Sequence, residues 1–266
     1  MFAAENKASI APLEIGIFPY LSTRTVLTTY QPLRQYLQSR LQRPVLFITA
    51  PNLRTFAERT QKGEYLFVLT APHFGRLAEQ DAGYLPMLRP KRELHATLVV
   101  NKDSALHHIS ELRGKKVATP DSIAIISMLG VNLLRANGLE PGKDVVLQAM
   151  PSHDAAVWSL QKGDSAAAII SATALQQMPI ELKSGIRILA SSDGVPPIMF
   201  MAHPKVPRGE VKLMTTLLLD FAENTPEGRN FMRDTGYLGL LPSTSKEMKS
   251  LDPYVKELKI LLAPAP

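Results

Sequence analysis

The sequence of 266 residues contains no cysteine. This absence excludes disulfide bonds, thiolate metal sites and a cysteine nucleophile. Long apolar runs are missing too, because no stretch approaches the roughly 18 apolar residues that would span a bilayer. Aromatic residues make up only 6% of the chain and hydrophobic residues 45%. That composition is typical of an ordinary globular protein with one large α/β domain or two smaller ones.

The net charge of +6 and the isoelectric point of about 9.5 would suit a nucleic acid or an anionic surface. The basic residues are scattered, however, and the densest group, Arg89, Lys91 and Arg92, is followed directly by Glu93. An alternation of basic and aromatic residues, which single-strand binders need, is lacking. We therefore interpret the basic residues as solvated surface and expect no nucleic-acid partner.

Motifs that carry enzyme chemistry are also missing. The sequence has no Gly-x-Ser-x-Gly, no Gly-x-Gly-x-x-Gly and no metal-ligand spacing such as His-x3-His. Ser152, His153 and Asp154 are consecutive, whereas members of a catalytic triad converge from separated positions. We expect no catalytic residue, metal or cofactor, and keep an enzyme with His153 beside Asp154 only as a third hypothesis.

Two segments of the chain share one pattern. Asn52 precedes a helix that closes on Lys62-Gly63, and the strand after it ends at Thr70. Ser152 precedes a helix that closes on Lys162-Gly163, and the following strand ends at Ser171. Strands alternating with helices predict largely parallel sheets, and polar residues at the strand ends lie where open α/β folds bind ligands. The repetition predicts two similar lobes that face each other.

The chain is expected to cross between these lobes twice. The predicted first lobe comprises residues 11–100 and 198–266, and the second comprises residues 103–195. The two crossings, near 100–103 and 193–198, would form the hinge. Beyond a returning strand at 198–202, helices are expected. Residues 1–8 are small and polar, as after a signal-peptidase cut, so we favour an exported, periplasmic protein whose signal peptide is gone over a cytoplasmic one.

Five segments together resemble a known family. Their order and spacing are similar to those of the phosphonate/phosphite/phosphate-binding periplasmic proteins of ABC importers, and the match runs from about 13 to 240. The segments are residues 13–18, 67–74, 98–104, 112–118 and 152–156. The resemblance implies a type II periplasmic-binding fold, with two Rossmann-like α/β lobes and a two-strand hinge. It also implies an oxyanion held between the lobes by helix N-termini, and an ABC permease as partner.

The chain departs from the family at the first helix of the second lobe. Phosphonate binders of the family usually have a Ser-Thr-Ser-Gly run there, but this chain keeps only Ser122 and has Ile123 and Ala124 in place of the other hydroxyl residues. Each lost hydroxyl removes a hydrogen bond worth about 1.5–3 kcal/mol to a charged acceptor. The amine-contacting carboxylate of aminophosphonate binders also has no counterpart, so an aminoalkylphosphonate is not expected.

Six residues are predicted to contact the ligand. His153 matches the family histidine at a helix start, and a neutral imidazole there donates one hydrogen bond to an oxyanion. The other five lie at strand ends or at a helix start, with capping or packing as their alternative roles. They are Tyr20, Thr70, His73, Ser122 and Ser171.

Two functional hypotheses share this fold. The first is a solute-binding protein of an ABC importer that binds a small phosphonate-, phosphite- or phosphate-like oxyanion by hinge closure. The second is the ligand-binding domain of a signalling kinase. A non-phosphorus organic ligand remains an alternative in either case, because the residues at 123 and 124 have lost their hydroxyls.

Overall fold

The computed structural model describes residues 11–263, and within them the strands form two separate sheets. In chain order, strands β1 to β11 are Leu13–Ile17, Val45–Ile48, Phe67–Thr70, Leu85–Pro90, Ala96–Asn101, Lys116–Pro120, Val146–Met150, Ala167–Ser171, Ile186–Ser191, Met199–Ala202 and Leu240–Pro242. The first sheet has the order β11-β4-β10-β3-β1-β2, and the second has the order β7-β6-β8-β5-β9.

Helices cover the faces of both sheets. In chain order, helices α1 to α11 are Thr23–Leu41, Leu53–Gln61, Pro72–Ala82, Ile125–Ala136, His153–Gln161, Ala172–Gln177, Ile180–Lys183, Arg208–Asn224, Pro226–Thr235, Ser245–Ser250 and Asp252–Leu262. One turn of 3₁₀ helix, Ile109–Leu112, precedes β6. The predicted α/β fold of two lobes is confirmed.

The two sheets repeat one topology. β1 pairs in parallel with β2 and β3, and β6 pairs in parallel with β7 and β8. In the first sheet the antiparallel strand β10 pairs with β3, and in the second the antiparallel strand β5 pairs with β8. Each of these strands comes from the other half of the chain. The central strands β3 and β8 are buried along their whole length, as parallel strands covered on both faces must be. The carboxyl ends of the parallel strands therefore form equivalent edges in both lobes.

The strand Ala96–Asn101 corrects the predicted boundary of the first lobe. The sequence pattern assigned residues up to 100 to that lobe, but β5 pairs with β8 and β9 of the second sheet. The first crossing therefore lies between Pro90 and Ala96, and the second between Ser191 and Met199. Leu94 and Val195 exchange two backbone hydrogen bonds of 2.9 and 3.0 Å, which join the crossings as one ribbon. An isolated strand pattern does not reveal its pairing partner, which explains the error.

Helix α1 illustrates how local sequence sets an element. Ser22 caps its start by accepting a hydrogen bond of 3.3 Å from the amide of Thr25. The buried side chains recur every three or four residues, so one stripe of the helix faces the core of the first lobe. They are Val26, Tyr30, Leu33 and Leu37.

The sequence predicts that only helices follow the returning strand at 198–202. The C-terminal segment does return to the first lobe, but it also contains a strand. Strand β11 pairs with β4 at the sheet edge. Helix α11 packs against α3, where Arg76 donates a hydrogen bond of 2.7 Å to Asp252. Across residues 11–263, no helix is both long and apolar enough to span a membrane.

Candidate functional site

A cleft between the two lobes has a volume of about 580 Å³ including its mouth. Phe18 to Tyr20, which follow β1, and the starts of α2 and α3 line it from the first lobe. The second lobe contributes the starts of α4, α5 and α6. Both sets lie at the carboxyl ends of parallel strands, which is where α/β sheets bind ligands.

The starts of α3 and α4 lack side-chain caps. Ala71 precedes α3 and Ala124 precedes α4, and neither can accept a hydrogen bond through its side chain. Since the first amides of a helix have no partner within the helix, those of His73 and Phe74, and of Ile125 and Ile126, are available to a ligand. The residues at both starts line the cleft from opposite sides.

The starts of α5 and α6 carry hydroxyl caps. Ser152 accepts from the amide of Ala155 at 3.3 Å, and Ser171 accepts from the amide of Ala174 at 3.2 Å. The Ser171 hydroxyl also lies 2.7 Å from that of Thr173, which lines the cleft as well. With the start of α2, whose first residue Leu53 also lines the cleft, five helix starts therefore converge on this space, two from the first lobe and three from the second.

His73 and His153 are both almost fully buried, at 0% and 5% exposure, and both line the cleft. Burial lowers the pKa of His73 to about 4, against a smaller opposite effect of its hydrogen bond to the Ile123 carbonyl. Burial also lowers the pKa of His153 to about 4, against the attraction of Asp154. Both rings are neutral near pH 7. The Nδ1 atom of each ring has no hydrogen-bond partner within residues 11–263.

Three buried tyrosines and a glutamine form a cluster at one end of the cleft. Tyr20 donates a hydrogen bond of 2.5 Å to Gln177 Oε1, and its hydroxyl lies 3.2 Å from that of Tyr30. Tyr30 in turn bonds to Tyr237. Burial raises the pKa of Tyr20 and Tyr30 well above the ordinary value, and that of Tyr237 to about 12. All three phenols are therefore protonated and act as neutral hydrogen-bonding groups.

Hydrogen bonds across the cleft join the lobes. The amide of His153 donates to the carbonyl of Tyr20 at 3.1 Å, and His73 Nε2 lies 2.7 Å from the carbonyl oxygen of Ile123. The amide of Ser22 donates to Asp154 at 3.1 Å. These bonds require the lobes to be in contact, so the structure represents a closed conformation.

Four of the six predicted residues meet at the cleft. They are Tyr20, His73, His153 and Ser171. Thr70 does not line it; the side chain is fully buried at the end of β3, and its hydroxyl has no partner within residues 11–263. Whether the four contact a ligand stays a prediction.

Ser122 is the second exception, because it is exposed and does not line the cleft. The helix was expected to start near it, but α4 begins at Ile125. Asp121 explains the shift, since its carboxylate accepts from the amide of Ile123 at 3.1 Å and its carbonyl accepts from the amide of Ala124 at 2.8 Å. This Asx turn occupies the chain where a helix would start, so that Ala124 takes the capping position.

Gln177 and Tyr237 also line the cleft and were not predicted. Gln177 ends α6 in the second lobe, whereas Tyr237 follows α9 in the first. Neither belongs to a motif, and no local pattern indicates that their side chains meet Tyr20. Their role depends on long-range packing alone.

The lining of the cleft includes no lysine, arginine, aspartate or glutamate among the described residues. Over the same part of the chain, no cluster of three or more histidine, aspartate or glutamate side chains could hold a metal ion. The cleft can therefore offer backbone amides, hydroxyls and neutral imidazoles, beside apolar walls formed by residues such as Phe18, Leu94 and Ile198.

Two lobes of equal topology, a paired crossing and a ligand cleft at facing strand ends define a two-lobed binding protein of type II. The family model described as the phosphonate periplasmic substrate-binding protein of ABC transporters matches residues 15–248. The chain belongs to this family, whose members bind substrate for a transporter and are not enzymes.

Solved structures show the same fold at low sequence identity. PhnD1 of Prochlorococcus marinus, in complex with methylphosphonate, is 14% identical with a TM-score of 0.79, over 93% of this chain and 98% of that one. A Xanthomonas citri protein bound to chloride ion is 19% identical with a TM-score of 0.70, over 94% and 99%. The alkanesulfonate-binding protein SsuA of Xanthomonas axonopodis pv. citri, bound to MOPS, is 17% identical with a TM-score of 0.66, over 97% and 96%. Curated protein sequences include no significant match.

Proposed function

We propose that this chain is the periplasmic solute-binding component of an ABC importer and that it binds a small oxyanion in the interlobe cleft. The observation that carries the proposal is the convergence of five helix starts, those of α2, α3, α4, α5 and α6, on one buried space. Helix N-termini favour anions through free amides and through the aligned peptide dipoles.

The electrostatics of the cleft support an anion of low charge. With no charged side chain in the described lining, stabilisation must come from dipoles and neutral donors. Such donors, when fixed and shielded from water, interact with an anion more strongly than solvated ones do. A polyanion would remain partly uncompensated in this environment, so a monoanion fits it better.

The apolar walls favour an anion that carries a small organic group. Ala124, which replaces a hydroxyl residue of the family's Ser-Thr-Ser-Gly run, lines the cleft together with Ile125 and Ile126. Phe18, Leu94 and the other apolar side chains would cover a short alkyl substituent. An alkylphosphonate therefore suits the lining better than bare phosphate.

Closure supports a role in capture and release. The bonds of His73 to Ile123 and of His153 to Tyr20 form between lobes, and a ligand held between those lobes leaves only when they separate. The permease and the periplasmic location are inferred from the family, and a signalling partner remains the alternative. Binding by itself does not distinguish these partners, but reconstitution of uptake with a permease does.

The experiment is a calorimetric titration with methylphosphonate, phosphite, phosphate, methanesulfonate and sulfate, together with a thermal-shift screen of small organic solutes. Bound ligand raises the melting temperature by mass action. The single tryptophan, Trp158, lies in a groove beside the lobe contact and reports closure by fluorescence.

A matched pair of variants tests the site. His153→Ala should weaken binding by about tenfold or more, because a donor to a charged group is lost. His107→Ala, at an exposed histidine, should leave the affinity unchanged. If no oxyanion binds while an organic solute does, the proposal is wrong; if His153→Ala binds like the unmodified protein, the site assignment is wrong.

A further inference from the structure

One ring in the cleft has its proton position set by the opposite lobe. His73 Nε2 lies 2.7 Å from the carbonyl oxygen of Ile123. A carbonyl oxygen only accepts hydrogen bonds, so Nε2 must carry a proton. The ring is fully buried and lines the cleft.

The second nitrogen of this ring is therefore an acceptor. A neutral imidazole has a single proton, and in His73 that proton is on Nε2. Burial keeps the ring neutral by lowering its pKa to about 4. The titratable groups that share the cleft are His153, Tyr20 and Tyr237, which are all uncharged near neutral pH.

Charged groups on the neighbouring elements do not alter this state. Arg76 and Glu79, on α3 itself, pair with each other at 2.7 Å, and Arg76 also pairs with Asp252 of α11. On the opposite side, Asp121 accepts from the amide of Ile123. No carboxylate among the described residues bonds to His73, so nothing there supplies or holds a second proton on the ring.

A buried acceptor without a partner needs a donor from elsewhere. Nδ1 of His73 has no hydrogen-bond partner within residues 11–263. A fully deprotonated oxyanion offers only lone pairs to it, and two lone pairs repel. A protonated oxyanion such as a phosphonate monoanion offers one P–OH group, which satisfies Nδ1 while its other oxygens face the amides.

We propose that His73 makes this cleft selective for an oxyanion that carries its own proton, so that phosphonate-type monoanions bind and sulfonates and sulfate are rejected. The inference rests on the proposed function of the cleft as an oxyanion site. It assigns to His73 a role in specificity, distinct from the donor role of His153.

The test compares methylphosphonate with methanesulfonate at mildly acidic pH. The two have nearly the same shape and charge there, but only the phosphonate has a proton to donate. Phosphate and sulfate form a second pair, which is not matched in charge because sulfate is a dianion and phosphate a monoanion at this pH, so the first pair decides. The protonated member should bind about 10- to 100-fold more tightly, as expected when a buried acceptor is left unpaired. Equal affinities, or a preference for the sulfur compound, would overturn the selectivity.

Two variants separate the contacts of the ring. His73→Gln extends an amide that can still donate to the Ile123 carbonyl but lacks an acceptor at the position of Nδ1. His73→Asn keeps a polar atom near Nδ1 and loses the bond across the cleft. We expect His73→Gln to reduce the phosphonate-to-sulfonate affinity ratio, and His73→Asn to weaken both ligands while retaining the ratio. An unchanged ratio in His73→Gln contradicts the role of His73.

Nitrogen-15 NMR of the unmodified protein tests the same point without a variant. The expected signals of His73 are those of a neutral ring with the proton on Nε2, before and after methylphosphonate is added. Conversion to a ring protonated on both nitrogens would make Nδ1 a donor and overturn the proposal. If none of the four oxyanions binds, the proposed function itself fails, which is a different outcome from binding without discrimination.

Discussion

Mild acid should destabilise this protein through its two cleft histidines. An ordinary histidine has a pKa of 6.5, whereas burial lowers the pKa of both His73 and His153 to about 4 in the folded chain. Between these values the unfolded chain binds protons that the folded chain does not. The free energy of unfolding therefore rises with pH across this window and falls as the pH drops from 7 towards 4.

The magnitude follows from the same two pKa values. At pH 5 each histidine is almost fully protonated in the unfolded chain and mostly neutral in the folded one. This difference lowers the free energy of unfolding by about 2 kcal/mol per residue relative to pH 7. The two together amount to about 4 kcal/mol, a large part of the 5–15 kcal/mol that stabilises a typical domain. His203, whose pKa burial also lowers, adds an effect of the same sign.

Urea denaturation of the ligand-free protein at pH 7, 6 and 5 measures the slope of the free energy of unfolding against pH. His73→Gln and His153→Asn should each remove about half of the difference between pH 7 and pH 5 that the pair causes. His107→Asn, at an exposed position, should leave it unchanged. Equal stability of the unmodified protein at pH 5 and pH 7, or an unaltered slope in both cleft variants, would refute the view that these rings are buried and neutral.

Three further changes test the packing and the cleft. Gly130→Ala should lower the free energy of unfolding by about 1–3 kcal/mol in urea melts, because the new Cβ would lie 2.6–3.3 Å from side-chain carbons of Ile169. Gly209→Ala, also helical but with nothing within 4 Å, is the control and should not destabilise. Tyr20→Phe removes a hydrogen bond between the lobes and should weaken methylphosphonate binding about 2- to 10-fold by calorimetry; an unchanged affinity would mean that this bond does not favour closure. Ala124→Ser adds a side-chain cap to α4, so it should raise the free energy of unfolding by about 1 kcal/mol and tighten methylphosphonate binding. A decrease in both stability and affinity would contradict the assignment of residue 124 to the capping position.

Elements whose signals are local were predictable from the sequence. Helices are expected beyond the returning strand at 198–202, and two of those that form there, α9 and α11, have proline in their first turn. The helix after Ser152 was also predicted, and in the structure the Ser152 hydroxyl caps it. In each case the determining contacts lie within a few residues, so no knowledge of the fold is needed.

The predictions from the sequence were wrong where contacts between distant residues determine the structure. Strand Ala96–Asn101 pairs with strands that lie far along the chain, so its lobe could not be assigned from its own pattern. The Asx turn at Asp121 displaces Ser122 from the cleft. Its side-chain hydrogen bond competes with the start of a helix, and the sequence pattern does not reveal this bond. Gln177 and Tyr237 reach the cleft only because α6 packs against α9 across the lobes.

The absence of charged groups from the described cleft lining links affinity to closure. A lysine or arginine on one lobe would hold an anion by itself, even in the open state. In the proposed oxyanion site, α3 would supply amides from the first lobe and α4, α5 and α6 from the second, so separating the lobes would divide the donors and admit water. Because the apparent affinity scales with the closed population, a partner that opens the lobes would release the ligand without competing for any individual contact.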